Sequence, residues 1–376
     1  MEPELHRADD GTRTRDPHLG KVMRYQLRYV RLQTSDHYTG AGHYRGAVTE
    51  ARPPADPPRS TGAGPQGDPP RSTGAGPQGD PRWPRASDWL AAGPPPGREP
   101  DLAVLGVPTF ATSISPTGAH KTPQAVRRAL AKYSTWCASR HVDVSSVAAW
   151  DAGDVEDPDA EVEGEFRVRA RAQTAAAKAK LVVALGGDNS LTYPVCAGAF
   201  GDRLGDVGLV TLDAHHDIRE GRSNGSPVRN LLDAGLDPAR VVQVGIADWA
   251  NSKSYADEAA ARGITVISRT DVATRGIDAC LRDALDIAGA GNAPVYVDLD
   301  VDVCDRAVAP ACPASLPGGL SAAELMQAAF LAGLDRRVRV VDVAEVDATR
   351  DAPDERTVRL AALCLLEVAA GYALRP

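Results

Sequence analysis

The sequence predicts an α/β domain over residues 99–376: a three-layer α/β/α sandwich built around a mainly parallel sheet. Three observations predict it. Short apolar runs recur from Asp101 onward and are continuous rather than alternating, as in strands buried on both faces. Amphipathic stretches separate these runs, and strand–helix alternation means a parallel sheet with helices on both sides. Several runs end in acidic residues, and open parallel sheets bind ligands just outside the carboxyl ends of their strands.

Strands are expected at residues 102–107, 181–185, 207–212, 241–245, 265–267, 295–299 and 338–343. Helical patterns occupy 123–133, 165–180 and 321–331. Thr122 followed by Pro123 reads as an N-cap with proline in the first helical position. The stretch from residue 99 to the end is long enough to bury a large core as one domain.

Residues 1–98 read differently. After about the first thirty residues they lack periodic apolar segments, and DPPRSTGAGPQG occupies 56–67 and again 68–79. Such Pro, Gly and Ser density buries too little surface to offset chain entropy, so a disordered extension is expected. Arg13, Arg15, Lys21, Arg24, Arg28 and Arg31 read as part of a solvated tail rather than a nucleic-acid or membrane contact. Residues 11–30 resemble translated tRNA-gene sequence, so the natural start is expected downstream of them.

The net charge of −8 argues against nucleic acid as partner. No 18-residue apolar run and no signal pattern occur, so neither membrane insertion nor export is expected and the location reads as cytoplasmic. The six cysteines lack a C-x-x-C pair and read as reduced and mostly buried. Cys304 and Cys312 lie near the acidic motifs but have no evident base beside them.

Four strand ends carry the chemistry. The third run leads into Asp213-Ala-His215-His216-Asp217, carboxylate, imidazole and carboxylate at alternate positions. That set suits a borderline divalent cation such as Mn²⁺, although Asp-rich strand ends also serve as helix caps. A second run ends in Asp298-Leu-Asp300-Val-Asp302, whose alternation puts three like charges on one face. Such charges are costly to desolvate, and a cation is the simplest remedy. Gly186-Gly187-Asp188-Asn189-Ser190 adds a tight turn and an amide oxygen; Glu345 adds a carboxylate after the last strand. Either segment alone is compatible with an ordinary strand-to-helix turn.

Together the motifs resemble the ureohydrolases: arginases, agmatinases and formiminoglutamases. The resemblance covers nearly all of residues 101–374 and rests on Gly106-Val-Pro108, Thr117-Gly-Ala119, Thr122–Arg127, Asp151-Ala-Gly-Asp154, Gly186–Ser190, Asp213–Asp217, Asp300-Val-Asp302 with Ala309-Pro310, and Glu345-Val346. It implies an arginase-like α/β/α fold, a trimer or hexamer, and two Mn²⁺ per subunit. It implies that Asp213 and Asp300 bridge the ions, that Asp217 and Asn189 complete one site, and that His215 and Asp302 complete the other. The family usually has His where this chain has Asn189, so that site is expected to be weakened, or filled by a water held by Asn189. Arginases place a proton-shuttling His where Asn224 stands. Asp217-Ile-Arg219, Val242–Ile246 with Ala250-Asn-Ser252, and Asp300–Pro310 look like the formiminoglutamase branch.

The resemblance therefore implies hydrolysis of formiminoglutamate to glutamate and formamide, a step of histidine catabolism. The alternatives are an agmatinase-like or other guanidino hydrolase releasing urea, and a metal-poor pseudoenzyme. Two cations sharing a water make hydroxide available near neutral pH. Glu345 would hold the cationic C–N group of the amidine or guanidine, and Asp217 would pass a proton to the leaving nitrogen. Arg219 would pair with a substrate carboxylate, or else with a neighbouring acid as a purely structural ion pair.

Overall fold

The computed structural model describes Asp80 and residues 82–376. The repeat, the basic tail residues and the question of the start lie outside these residues. Strands are β1 (Leu102–Val107), β2 (Trp136–Cys137), β3 (Val142–Asp143), β4 (Ala149–Asp154), β5 (Leu181–Gly186), β6 (Gly208–Leu212), β7 (Val241–Ile246), β8 (Thr265–Ser268), β9 (Val295–Asp300) and β10 (Val338–Ala344). Helices are α1 (Ala86–Ala92), α2 (Thr122–Ala129), α3 (Gly164–Lys178), α4 (Thr192–Phe200), α5 (Pro227–Asp233), α6 (Lys253–Arg262), α7 (Arg269–Arg275), α8 (Ile277–Ala288), α9 (Ala322–Leu334) and α10 (Arg356–Ala373).

Eight strands form one parallel sheet in the order β4-β1-β5-β10-β9-β6-β7-β8. β2 and β3 pair as a small antiparallel ribbon. Successive residues of a strand face opposite sides, and both sides are buried. Leu102, Val104, Val183, Leu185 and Val210 enter the core packed against α1, α2, α8, α9 and α10. Ala103, Leu105, Val182, Ala184 and Leu209 enter the other, against α3, α4, α5 and α6. The expected three-layer sandwich is thus the observed one, and all seven expected strands are present to within a residue or so at each end.

Three features differ from the sequence reading. The boundary at residue 98 falls too late for α1, whose Ala86, Trp89 and Leu90 are buried; seven residues between Pro- and Gly-rich flanks show too little periodicity to read. β4 was not foreseen as a strand because Trp150, Asp151 and Asp154 break the apolar pattern at the sheet edge. Thr122 is not a cap. The turn at Ala119–Lys121 runs straight into α2, and the Thr122 hydroxyl donates to the Val346 carbonyl.

Candidate metal centre

β5, β10, β9 and β6 are consecutive in the sheet, and their carboxyl ends deliver all four acidic motifs to one place. The alternation expected over Asp298, Asp300 and Asp302 ends at Asp300. A 3₁₀ turn at Val301–Val303 begins there, so Asp302 arrives from the turn rather than the strand. Two local hydrogen bonds curl the chain: the Asp302 N–H donates to Asp300 Oδ1 at 2.9 Å, and the His215 N–H to Asp213 Oδ1 at 2.6 Å. Both are the short Asp-to-backbone turns that acidic side chains favour.

Ligand-capable atoms of Asp213, His215 and Asp302 lie within 4.8 Å of one another, as do those of Asp213, Asp217 and Asp300. Asp213 is common to both sets; Asp300 joins one. All four aspartates are buried. Burial, reinforced by the Asp302 charge, pushes Asp213 up to about 6. Burial and then neighbouring carboxylates hold Asp217 and Asp300 well above the usual range. Burial disfavours the His215 imidazolium, yet Asp302 at 3.0 Å and Asp213 at 3.4 Å lift its pKa to about 12. Asp213 Oδ2 is sealed from solvent and has no hydrogen-bond partner. A buried carboxylate cluster with an orphaned oxygen is several kcal/mol out of balance unless a cation is shared. Oxygen donors with one imidazole are the chemistry of Mn²⁺-type ions. The residues present therefore fit a metal centre.

Asn189 meets this cluster with its nitrogen. Nδ2 donates to Asp217 Oδ2 at 2.9 Å and reaches Asp298 at 3.5 Å, while Oδ1 accepts the Thr192 hydroxyl at 2.8 Å. The expected oxygen donor is thus turned to Thr192, and the amide orients Asp217. Asn189 is not a helix cap either, because Asp188 accepts the Ser190 N–H in that role. The glycine pair does permit close approach: a Cβ on Gly187 would fall 1.8 Å from the Thr109 carbonyl oxygen. Asp298 stays beneath the cluster, in register with Asp342, which accepts the Tyr296 hydroxyl.

Glu345 is buried, and burial followed by the charges of Asp188 and Asp302 raises it to about 8. Its Oε1 is anchored twice, by the Asn189 N–H at 2.8 Å and by Asn224 Nδ2 at 2.7 Å. Asn224 Oδ1 in turn accepts the Ile114 N–H at 2.9 Å, so Asn224 ties the 110–117 loop to the site. Asp217 and Glu345 both have left-handed backbone, φ 52° and 65°, in a region that costs non-glycine residues about 1 kcal/mol or more and clusters at functional sites.

A cavity of about 200 Å³ opens over the cluster, lined by Asp217, Asp300, Asp302, Glu345, Arg219 and Asn224 among others. Arg219 lies against the Tyr255 ring, 6.0 Å from its centroid. Its neighbours Arg222 and Arg229 pair with Glu165 and Glu258, whereas Arg219 forms no ion pair among the described residues. The N-terminus of α6, with Ser252 as cap, opens on the same cavity. His216, Asn251, Ser252 and Tyr255 also line it and were not assigned to the site from sequence; His216, between two acidic-motif members, and Ala250-Asn-Ser252, quoted only for its branch resemblance, carried a signal, and Tyr255 carried none.

Cys304 and Cys312 are buried, and burial pushes both thiols up, which leaves them inert as nucleophiles. No described helix is long and apolar enough to cross a membrane.

A parallel sheet with a carboxylate–imidazole cluster at the carboxyl ends of its central strands, under a cavity lined by a guanidinium, defines a metal-dependent α/β hydrolase. The arginase family model matches residues 100–371, and the chain belongs to that family. It is 33% identical to the formimidoylglutamase of Halalkalibacterium halodurans over 282 residues, 73% of this chain and 88% of that one. The crystal structure of the Bacillus subtilis formimidoylglutamase superposes with a TM-score of 0.74 at 28% identity, covering 81% of this chain and 97% of that one. The Trypanosoma cruzi formiminoglutamase with Mn²⁺ superposes at 0.70 and 27% identity, covering 78% and 100%.

Proposed function

We propose that this protein hydrolyses formiminoglutamate to glutamate and formamide, using a manganese centre of two ions per subunit. It is a hydrolase of C–N bonds in linear amidines. The observation that carries the substrate is Arg219: a guanidinium without an acidic partner, beside the N-terminus of α6 and across one cavity from the acidic cluster. That arrangement suits a molecule cationic at one end and carboxylated at the other.

Asp213, Asp217, Asp300, His215 and Asp302 would hold the ions. Bound there, a divalent pair supplies a water acidified to near neutrality. The water oxygen adds to the formimino carbon, the bond from that carbon to the glutamate nitrogen breaks, and the nitrogen leaves as an amine carrying the proton. Glu345 presents Oε2 to the cationic amidine, since Oε1 is held by Asn189 and Asn224. Asp217, steadied by the Asn189 amide, hands the proton to the leaving nitrogen. Arg219 takes a substrate carboxylate. Asn189 supplies no oxygen in this arrangement, which supports a weaker site on the Asp217 side. The same reading carries a trimeric or hexameric assembly and a cytoplasmic location.

The test is a panel of formiminoglutamate, agmatine, arginine, guanidinobutyrate and guanidinoacetate with Mn²⁺, scoring formamide and urea separately. Formamide from formiminoglutamate is expected. Urea from a guanidino compound in its place would assign the protein to the guanidino hydrolases, and inertness of the metal-loaded protein towards all five would make it a pseudoenzyme.

A further inference from the structure

We infer that His216 is a specificity residue whose Nε2 accepts a hydrogen bond from an N–H of the bound amidinium. The inference rests on the amidine reading of the cavity.

The argument begins at Gln243, buried on β7. Its Nε2 donates to the His216 carbonyl oxygen at 2.8 Å. That bond fixes the amide, so Oε1 is the atom facing His216 Nδ1, 2.7 Å away. An amide oxygen only accepts, so Nδ1 carries the ring proton. In the neutral imidazole Nε2 then holds a lone pair and acts as acceptor. The backbone is held as well: the His216 N–H donates to Asn251 Oδ1 at 3.0 Å, and Asn251 Nδ2 donates to the Ala214 carbonyl at 2.9 Å. The ring has little freedom to turn.

Nε2 has no hydrogen-bond partner among the described residues, and it is not one of the sealed, unpartnered polar atoms. His216 lines the cavity, so this nitrogen opens on it. The rest of the residue is buried, with only 4% of its surface exposed.

The substrate class supplies the demand. A formimino group in its cationic form has more than one N–H donor, and Glu345 has one carboxylate oxygen left after Asn189 and Asn224 occupy the other. A donor buried without an acceptor loses its hydration uncompensated. His216 is a neutral acceptor already oriented on the same cavity. It binds an N–H without adding to the negative charge of the cluster.

The test uses the Mn²⁺-loaded protein and two small probes, formamidine and glutarate. Formamidine is an amidinium without carboxylates; glutarate has two carboxylates and no N–H. His216→Phe keeps a ring but loses the acceptor. It should weaken formamidine about tenfold or more, raise KM for the amidine substrate similarly, and leave glutarate unchanged. His216→Gln, with an amide oxygen near the Nε2 position, should restore most of the loss. Gln243→Leu, which frees the ring, should fall between. Unchanged formamidine binding in His216→Phe, or equal weakening of both probes, would overturn the assignment. If His216→Phe fails to fold, selective weakening of formamidine in Gln243→Leu decides for the inference and its absence decides against. Formamidine binding is read without turnover, so a wild type inert to the whole substrate panel would sink the proposed reaction while this assignment stood or fell on its own.

Discussion

At the edge of the sheet, Asp151 and Asp154 on β4 face Arg127; at its centre, Asp213 and Asp217 face other carboxylates. The edge pair shares a cation. Arg127 bonds both Asp151 oxygens at 2.8 Å and Asp154 at 2.6 Å, and α2 is thereby clamped to β4. Among the described residues the central pair bonds no guanidinium side chain, only His215 and the amide of Asn189. The edge carboxylates keep about 30% of their side-chain surface exposed, whereas Asp213 keeps 1%. Two acidic pairs of similar spacing thus have opposite roles. One is a structural clamp in which a single guanidinium bonds both carboxylates and the remaining charge is left partly in solvent. The other is left uncancelled, in the most buried part of the sheet, and its balance has to come from a bound cation.

The largest effect that tests this contrast is on turnover. Asp213→Asn removes the carboxylate common to both ligand sets, and Asp300→Asn removes its neighbour. Each should cut kcat by more than about a hundredfold, beyond the usual cost of losing an outer-sphere partner, while the fold survives. Wild-type rates with unchanged metal content in both would dissolve the contrast.

Metal removal comes next. EDTA should abolish activity and Mn²⁺ restore it. The metal-free protein should also show a pH trend in thermal stability. Asp213 is raised to about 6, Glu345 to about 8 and His215 to about 12, so between about pH 4 and 8 the folded state binds more protons than the unfolded one. Stability therefore falls as pH rises through that window. Mn²⁺ should flatten the fall by replacing the protons. A metal-free melting temperature that rose from pH 4 to pH 8 would contradict the assignment of uncompensated acids.

Asn189→His should lower the Mn²⁺ concentration needed for activity by about tenfold, since imidazole is the better ligand and Asn189 now gives its nitrogen to Asp217. Metal titration of activity reads this directly, and a curve superimposable on wild type would show that the position stands apart from the metals.

At the edge, Arg127→Met should reduce stability by about 1–3 kcal/mol, the screened cost of two partly exposed carboxylates losing their cation. Specific activity per folded molecule should stay near wild type. A hundredfold loss of kcat instead would erase the distinction between clamp and centre. The smallest effect is at Gly225, where an added Cβ would lie 2.9 Å from Arg219 Cδ. Gly225→Ala should displace Arg219 and raise KM about fivefold, on the order of 1 kcal/mol, with kcat little changed.

Much of this was present in the chain before any fold. Continuous apolar runs are dictated by burial on both faces, and that burial is why β1, β5, β7, β9 and β10 could be bounded closely from the runs alone. The acidic residues at the ends of β5, β6, β9 and β10 were legible for the same reason: they interrupt an apolar pattern abruptly. β4 and α1 were not legible, because an edge strand and a seven-residue helix need little apolar surface.

Tertiary structure alone decided the rest. Neighbouring order in the sheet brings together motifs that are far apart in the chain, and no local pattern encodes it. The direction of an amide depends on what lies at each end; Thr192 and Asp217 together turn Asn189 so that its nitrogen, not its oxygen, meets the cluster. Gln243 does the same for His216, from a strand whose sequence does not say which side chain it meets. Residue type sets which groups are able to donate, accept or bind a cation. Which of them remain unpaired, and so are free to act on a ligand, depends on partners that only the folded chain brings within hydrogen-bond reach.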